Sequence, residues 1–121
     1  MLCRSWRQIG FKPHDKAFVH VDSSAAKLVS FHEDGSYEEV DYGSLSFGGQ
    51  WKFNADSTKF AIAINKMNGQ TMGNVMSIDD AKPTDLIVRL MPDTLIYGME
   101  AYYGAQKEYG HDDWYFVPAN K

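Results

Sequence analysis

Residues 50–65 read QWKFNADSTKFAIAIN, and this stretch decides the fold class. A polar turn at 54–57 separates two short segments that carry large apolar side chains. In the second segment these side chains occupy every second position, at Phe60, Ile62 and Ile64, so an extended chain places all three on one face. The stretch therefore predicts a β-hairpin with one apolar face.

The same pattern extends along the chain in both directions. Further strands are predicted at 27–31, 37–42, 85–91, 94–102 and 114–117. The triplet Asp34-Gly35-Ser36 is typical of the tight turn of a hairpin, and it lies between the first two of these strands. Turn signals recur at intervals of about 8 to 15 residues, which leaves room for strands and little room for helices.

The segment 85–91 has the cleanest alternation in the chain. It predicts one apolar face made of Leu86, Val88 and Leu90, with the intervening side chains pointing the other way. For Arg89, on that other face, three roles stay open: packing across a tryptophan, holding the carboxylate of a ligand, or solvation.

Two segments are candidates for helix. Residues 98–106 contain Met, Glu and Ala among glycines and tyrosines, and residues 12–26 leave room for a short helix or an irregular excursion. Neither carries a sustained apolar stripe at helical spacing.

The sequence therefore predicts an all-β fold. Residues 1–121 are expected to form one domain, a single antiparallel up-and-down barrel of about eight strands with at most one short helix.

Composition and charge exclude several classes of function. The 121 residues include 12 Lys and Arg against 16 Asp and Glu, a net charge of −4, with no basic stripe of the kind that binds nucleic acid. No apolar run approaches the roughly 18 residues of a transmembrane helix. Arg4 and Arg7 interrupt any signal-peptide core at the N-terminus. A cytoplasmic protein and the mature form of an exported protein both fit.

The sequence contains no recognisable catalytic or metal-binding motif. The histidines have no tight ligand spacing, and we interpret the polar cluster His111-Asp112-Asp113 as a charged loop. Adjacent carboxylates such as Glu38 and Glu39 point to opposite faces of a strand and do not converge on one atom. Cys3, the single cysteine, has no base that spacing assigns to it. We therefore predict a non-enzyme without cofactor or metal.

Four stretches share features with one family. They are an early strand with a tryptophan (Cys3–Trp6), an Asp-Gly hairpin leading to an aromatic residue (Val29–Tyr37), a Gly-x-Trp with a polar turn (Gly49–Asp56), and paired late strands (Asp85–Leu90 and Thr94–Tyr97). Together with a last strand that ends at Pro118, they resemble the lipocalin-like domains of the calycin superfamily. The resemblance implies a small barrel and a bacterial protein of the cell envelope or of the secreted fraction.

A barrel of eight strands either fills with its own side chains or holds one small ligand. The leading interpretation is a non-catalytic binding protein for a small hydrophobic or amphipathic ligand in the lumen, because aromatic-lined pockets are ordinary small-molecule sites. The candidate ligand-binding residues are Trp51, Phe53, Phe60, Ile62, Leu86, Val88, Arg89 and Trp114. For Trp51, a structural role in closing one end of the barrel stays open beside ligand stacking.

The alternative is a protein-interaction or structural module with a filled core. Six aromatic side chains would occupy much of the lumen if all pointed inward: Trp6, Phe31, Trp51, Phe53, Phe60 and Trp114. Five tyrosines would then provide a contact surface, because tyrosine is enriched at interfaces: Tyr97, Tyr102, Tyr103, Tyr109 and Tyr115. A homo-oligomer is one form of this alternative.

Overall fold

The computed structural model describes residues 2–73, 75–103 and 108–119, without the side chains of 100–103 and 108–109. Ten strands form one sheet: β1 Ser5–Lys12, β2 Val19–His20, β3 Leu28–Phe31, β4 Ser36–Asp41, β5 Leu45–Phe53, β6 Lys59–Met67, β7 Gln70–Thr71, β8 Asp85–Met91, β9 Thr94–Tyr103 and β10 Glu108–Pro118. A 3-10 turn at Ser23–Ala25 precedes β3. Within these described ranges, no helix has the length and apolar character needed to cross a membrane.

Pairing between the first and last strands closes the sheet. β1 pairs with β10 from Trp6 to Lys12, and on its other side it pairs with β3. The ring therefore runs β1-β3-β4-β5-β6-β8-β9-β10 and returns to β1, with neighbouring strands antiparallel. The two-residue strands β2 and β7 are additions to β1 and β6. These pairings confirm the predicted all-β barrel of eight antiparallel strands.

Both predicted central hairpins are present, and short polar side chains satisfy the backbone at their turns. Gly35 turns the β3–β4 hairpin with a φ of 90°. Beside it, the Asp34 carboxylate accepts from the backbone N–H of Ser36 at 2.9 Å. In the β5–β6 hairpin, Asn54 Oδ1 accepts from the backbone N–H of Thr58 at 3.0 Å. The residues that predicted turns from the sequence therefore stabilise those turns directly.

Aromatic side chains fill one half of the barrel. Its largest fully buried side chains are Trp6, Val29, Phe31, Tyr37, Phe60, Leu95 and Phe116. The Phe31 ring lies at the centre of this group, with centroid distances of 5.2 Å to Tyr37, 5.6 Å to Trp51 and 5.4 Å to Phe60. Tilted and edge-to-face contacts at such distances add to the burial of apolar area. This half of the barrel is a close-packed core.

Two tryptophans complete the packing at this end. Trp6 Nε1 donates to the Leu2 carbonyl at 3.1 Å, and Trp51 Nε1 donates to the His32 carbonyl at 2.9 Å. Both indoles are buried with their polar atom bonded, which is the arrangement that a buried tryptophan needs. Arg4 covers the Trp6 ring from outside, with its Cζ 5.4 Å from the ring centroid.

The connections between strands differ in length at the two ends of the barrel. Alternate connections of an up-and-down barrel lie at opposite ends. The end with the tryptophans therefore has the connections 32–35, 54–58 and 92–93. The opposite end has 13–27, 42–44 and 68–84, which include β2, the 3-10 turn and β7. We term the first end the closed end and the second the mouth.

Strand β10 is longer than the sequence predicted. It begins at Glu108, so His111-Asp112-Asp113 is part of a strand whose backbone pairs with Gly98–Glu100 of β9, and its interpretation as a loop is wrong. The helix candidate at 98–106 is likewise extended as far as Tyr103, and its remaining positions, 104–106, lie outside the described residues. In both segments, pairing with a neighbouring strand overrides weak local preference.

Gly49 in β5 lies unusually close to β6, at a β-bulge. A Cβ at this position would lie 2.0 Å from the carbonyl oxygen of Ala63, whereas a Cβ at Gly73 would meet nothing within 4 Å.

We therefore expect Gly49→Ala to lower the free energy of unfolding by about 2 kcal/mol or more. Gly73→Ala, the matched control, should change it by less than about 0.5 kcal/mol. Urea denaturation measures both values. A Gly49→Ala variant as stable as the parent would contradict this close approach.

Candidate functional site

A cavity of about 350 Å³ opens at the mouth of the barrel. Its lining combines aromatic, apolar and charged side chains: Gln8, Phe11, Val21, Ala25, Lys27, Asp41, Tyr42 and Trp114. Phe11 and Trp114 occupy paired positions on β1 and β10, and their ring centroids lie 5.8 Å apart. The connection between β1 and β3 supplies Val21, Ala25 and Lys27. The volume lies within the range of small-molecule pockets.

A charged cluster forms one wall of this mouth cavity. Lys27 Nζ lies 3.0 Å from Glu39 Oε2 and 3.6 Å from Asp41 Oδ2. The Tyr37 hydroxyl donates to Glu39 Oε1 at 2.6 Å. Lys27 Nζ also lies 5.2 Å from the ring centroid of Trp114, a cation–π contact. We term Lys27, Glu39 and Asp41 the mouth cluster.

The two carboxylates of the mouth cluster differ in their environment. Burial acts to raise the pKa of Glu39, but hydrogen bonds, led by that from Tyr37, and the charge of Lys27 together lower it. Burial, and then the neighbouring Glu39 carboxylate, raise the pKa of Asp41 to about 6 against the charge of Lys27. Asp41 Oδ1 is buried and has no hydrogen-bond partner among the described residues. Glu39 therefore has both oxygens bonded. Asp41 shares a hydrogen bond with the Glu39 carboxyl when one of the two is protonated, and when both are ionised its Oδ1 has no donor among the described residues.

Gln8 fixes the position of Lys27. Its backbone N–H donates to the Lys27 carbonyl at 2.8 Å, and its Oε1 accepts from the Lys27 backbone N–H at 3.1 Å. The Gln8 side chain is part of the cavity wall although the residue is only 2% exposed. In the part of the chain that the structure describes, no acceptor lies within hydrogen-bond distance of Gln8 Nε2. This amide nitrogen is therefore a donor on the cavity wall that a bound molecule can reach.

A second cavity, of about 450 Å³, lies where β6 and β8 separate. These strands pair at Lys59–Leu86 and Phe60–Asp85. Beyond those pairs the cavity is lined by Ile62 on β6 and by residues between 76 and 85. Burial raises the pKa of Asp85, another of its lining residues, to about 6.

Tyr97 is buried in the core and is within electrostatic range of three carboxylates. Its ring stacks on Phe116 at a centroid distance of 5.1 Å. Burial, and then the carboxylates of Asp85, Glu39 and Asp41, raise the pKa of Tyr97 well above its usual value. The Tyr97 side chain is therefore buried in a negative electrostatic environment.

A third space, of about 570 Å³, is a groove beside Gly48 and Gly49 of β5. The side chains of Glu38, Gln50 and Lys66 that border it are exposed. Exposed polar groups are already hydrated, so a ligand gains little by bonding to them. The mouth cavity is the stronger candidate site because its polar groups are buried.

Five of the eight predicted ligand-binding residues contact the core or line a cavity. Trp51, Phe53 and Phe60 belong to the aromatic core, with the Trp51 and Phe53 rings 4.9 Å apart and Phe60 fully buried. Trp114 lines the mouth cavity, and Ile62 lines the second cavity. The structure therefore separates these residues between core and cavity walls and does not gather them around one space.

The other three predicted residues are on β8, where the expected alternation is wrong. A β-bulge between Ile87 and Arg89 shifts the register, so that Ile87 and Leu90 pack against the core. Val88 is 43% exposed, and Leu86 is half-buried outside the core cluster. The predicted shared face of Leu86, Val88 and Leu90 therefore does not form. Arg89 is exposed, and solvation is the role that its position fits.

Sequence reasoning missed the mouth cluster, although one signal was present. Tyr37, Glu39 and Asp41 occupy alternate positions of a predicted strand and therefore share a face. The adjacent carboxylates Glu38 and Glu39, which point to opposite faces, are the more obvious pattern in this strand. Lys27 carries no comparable signal, because its position depends on hydrogen bonds to Gln8 in a distant strand.

The other polar candidates have partners outside the mouth cavity. His111 Nδ1 is hydrogen-bonded to Asp113 Oδ1, and Asp112 Oδ1 accepts from the backbone N–H of His14 at 2.7 Å. Among the described residues, no group of three or more His, Cys, Asp and Glu side chains is arranged to hold a metal ion. Burial raises the pKa of Cys3, which disfavours the reactive thiolate.

Two of the five tyrosines considered for a contact surface have described side chains. Tyr97 is 8% exposed, and the Tyr115 ring packs edge-on against Phe18 at 4.9 Å. The side chains of Tyr102, Tyr103 and Tyr109 lie outside the described residues. Tyr97 therefore contributes to the interior and not to an exposed patch.

Comparison of the chain with protein-family models, curated protein sequences and solved structures finds no match. The fold and the site define the protein as a closed antiparallel β-barrel, packed at one end and lined by charged and polar groups at the other.

The buried carboxylate of Asp85 should make stability depend on pH. Its pKa of about 6 exceeds the unfolded value of about 3.9, so the folded state loses stability as the pH rises from about 4 to about 6. Above that range the loss is complete. We expect Asp85→Asn to raise the free energy of unfolding by about 1–2 kcal/mol near pH 7.5 and to leave it unchanged near pH 4.

Chemical denaturation at both pH values measures this effect. Asp22→Asn is the matched control, because Asp22 is exposed and makes no side-chain capping bond. A gain of equal size at both pH values would show that ionisation of Asp85 is not the cause.

Proposed function

We propose that this protein is a non-catalytic, lipocalin-like binding protein that holds a small amphipathic ligand at the mouth of the barrel. The observation that carries the proposal is the mouth cavity, where the aromatic walls Phe11 and Trp114 lie beside buried polar groups. An apolar ligand body would contact the two rings, and its polar group would meet the mouth cluster and Gln8. Such a mixture of apolar walls and few polar groups is typical of small-molecule sites.

The packed closed end supports a ligand of limited size. Trp6, Phe31, Phe60 and Phe116 are fully buried and occupy the half of the lumen below the cavity. They give the site a floor of close-packed side chains, which holds the walls rigidly. A long acyl chain would have to displace this core, whereas a compact ligand fits the volume of about 350 Å³.

The position of the early tryptophan supports the lipocalin-like part of the proposal. Trp6 lies in the first strand and is fully buried at the closed end, next to Val29 in β3 and Pro118 in β10. The up-and-down strand order is the other feature that the resemblance implies. Both support an inherited binding role in the lumen.

Filling the cavity should weaken ligand binding. The neutral dye N-phenyl-1-naphthylamine fluoresces when it enters an apolar pocket, and we expect saturable binding to the parent protein. Ala25 lines the cavity, so Ala25→Phe should weaken dye binding by at least about tenfold, the loss expected for about 1.4 kcal/mol of binding free energy. Ala55 is exposed in the β5–β6 turn at the closed end, and Ala55→Phe is the matched control.

Two results would contradict the proposal. One is an absence of dye binding by the folded parent protein. The other is equal affinity in the parent and in a folded Ala25→Phe variant, since the dye would then occupy another part of the molecule.

A further inference from the structure

We infer that the mouth cavity selects a small organic cation, a protonated amine carried on a compact apolar body. The inference rests on the proposed function and specifies the class of its ligand. It comes from the charges around the cavity, from a buried carboxylate oxygen of Asp41 without a hydrogen-bond partner and an amide nitrogen of Gln8 on the cavity wall, and from the way in which the site already holds the ammonium group of Lys27.

The charge around the cavity favours a cation. Among the described residues that line the cavity or contact the Lys27 ammonium, the formal charges are one positive, at Lys27, and two negative, at Glu39 and Asp41. Near neutral pH one negative charge is therefore left without a counter-charge. An uncompensated charge in a partly buried site is costly, so a cationic ligand is stabilised there and a carboxylate ligand is repelled.

The uncompensated charge has a defined acceptor atom. Asp41 Oδ1 is buried without a hydrogen-bond partner among the described residues, while Oδ2 of the same carboxylate faces Lys27 Nζ at 3.6 Å. An N–H group of a ligand ammonium would give Oδ1 the partner that it lacks. Hydrogen bonds between oppositely charged groups are shorter and stronger than hydrogen bonds between neutral groups.

Gln8 provides an independent sign of a polar ligand. It is 2% exposed, it lines the cavity, and its Nε2 meets no acceptor in the described part of the chain. This nitrogen is a donor on the cavity wall that a bound molecule can reach. We assign it to a neutral acceptor atom, such as a hydroxyl or carbonyl oxygen, on the same ligand.

The aromatic wall is suited to an ammonium group. Lys27 Nζ lies 5.2 Å from the Trp114 ring centroid while it contacts both carboxylates of the cluster. The site therefore already shows the combination that binds alkylammonium groups, a tryptophan face together with carboxylate oxygens. A second ammonium at Asp41 Oδ1 would extend this arrangement into the cavity.

Three probes of similar shape and different charge test the inference near pH 7.5: phenethylamine, phenethyl alcohol and hydrocinnamate. Each displaces the bound dye if it enters the cavity. We expect phenethylamine to bind about tenfold to a hundredfold more tightly than phenethyl alcohol, the range for one hydrogen bond between charged groups. Hydrocinnamate should bind more weakly than the alcohol.

A pair of variants identifies the carboxylate responsible. Asp41→Asn should lower the affinity for phenethylamine at least about tenfold more than it lowers the affinity for phenethyl alcohol, so that the advantage of the amine is lost. Asp93→Asn is the control, because Asp93 is exposed in the β8–β9 turn at the closed end. It should preserve the advantage in full.

The outcomes separate this inference from the proposed function. Equal affinity for amine and alcohol, or tighter binding of hydrocinnamate, would overturn the cationic ligand while leaving the dye-binding cavity in place. An amine advantage that persists in Asp41→Asn would overturn the assigned acceptor. If neither the dye nor any probe binds the parent protein, the cavity is not a binding site and the proposed function fails with the inference.

Discussion

The pairing of β1 with β10 is the constraint on which the rest of the structure depends. It turns a meander of antiparallel strands into a ring, and a ring has an interior that must be filled or solvated. At the closed end the interior is filled by aromatic rings around Phe31. At the mouth the same inward-facing positions of β4 carry Glu39 and Asp41. The division of the lumen into an apolar half and a charged half follows from this change of side chains along the strands.

A charged group at the mouth is tolerated only because specific partners hold it. Gln8 bonds to both backbone polar groups of Lys27 and so places the Lys27 ammonium against Glu39 and the Trp114 ring. The Tyr37 hydroxyl completes the bonding of Glu39. Asp41 is the incompletely bonded member, and its raised pKa reflects the cost of that position. Buried networks that are partly satisfied are unfavourable for stability, and this feature of the mouth cluster supports the proposal that the cavity binds a ligand.

Much of the fold was predictable from the sequence, because alternation and turn residues act over short distances. The hairpins around Gly35 and 54–57 formed as predicted, since the residues at those turns make the bonds that stabilise them. The β-bulge in β8 was not predictable, because it depends on pairing with β9, and it moved Val88 and Arg89 away from the positions that simple alternation gives. The prediction of a loop at His111-Asp112-Asp113 was wrong for the same reason, because pairing with β9 extends β10 through these residues. In the site, Trp114 was identified from its apolar strand, whereas Lys27 and Gln8 come together only through long-range contacts.

The most direct test of this account is the carboxyl titration of the mouth cluster, followed residue by residue by carbon-detected NMR. We expect the pKa of Asp41 to be about 6, because burial and the Glu39 carboxyl raise it. We expect the pKa of Glu39 to lie below its usual range, because Tyr37 and Lys27 bond to it. If both carboxyl groups titrated at the ordinary values of about 4, the two side chains would be in water, and the charged interior of the mouth would be contradicted.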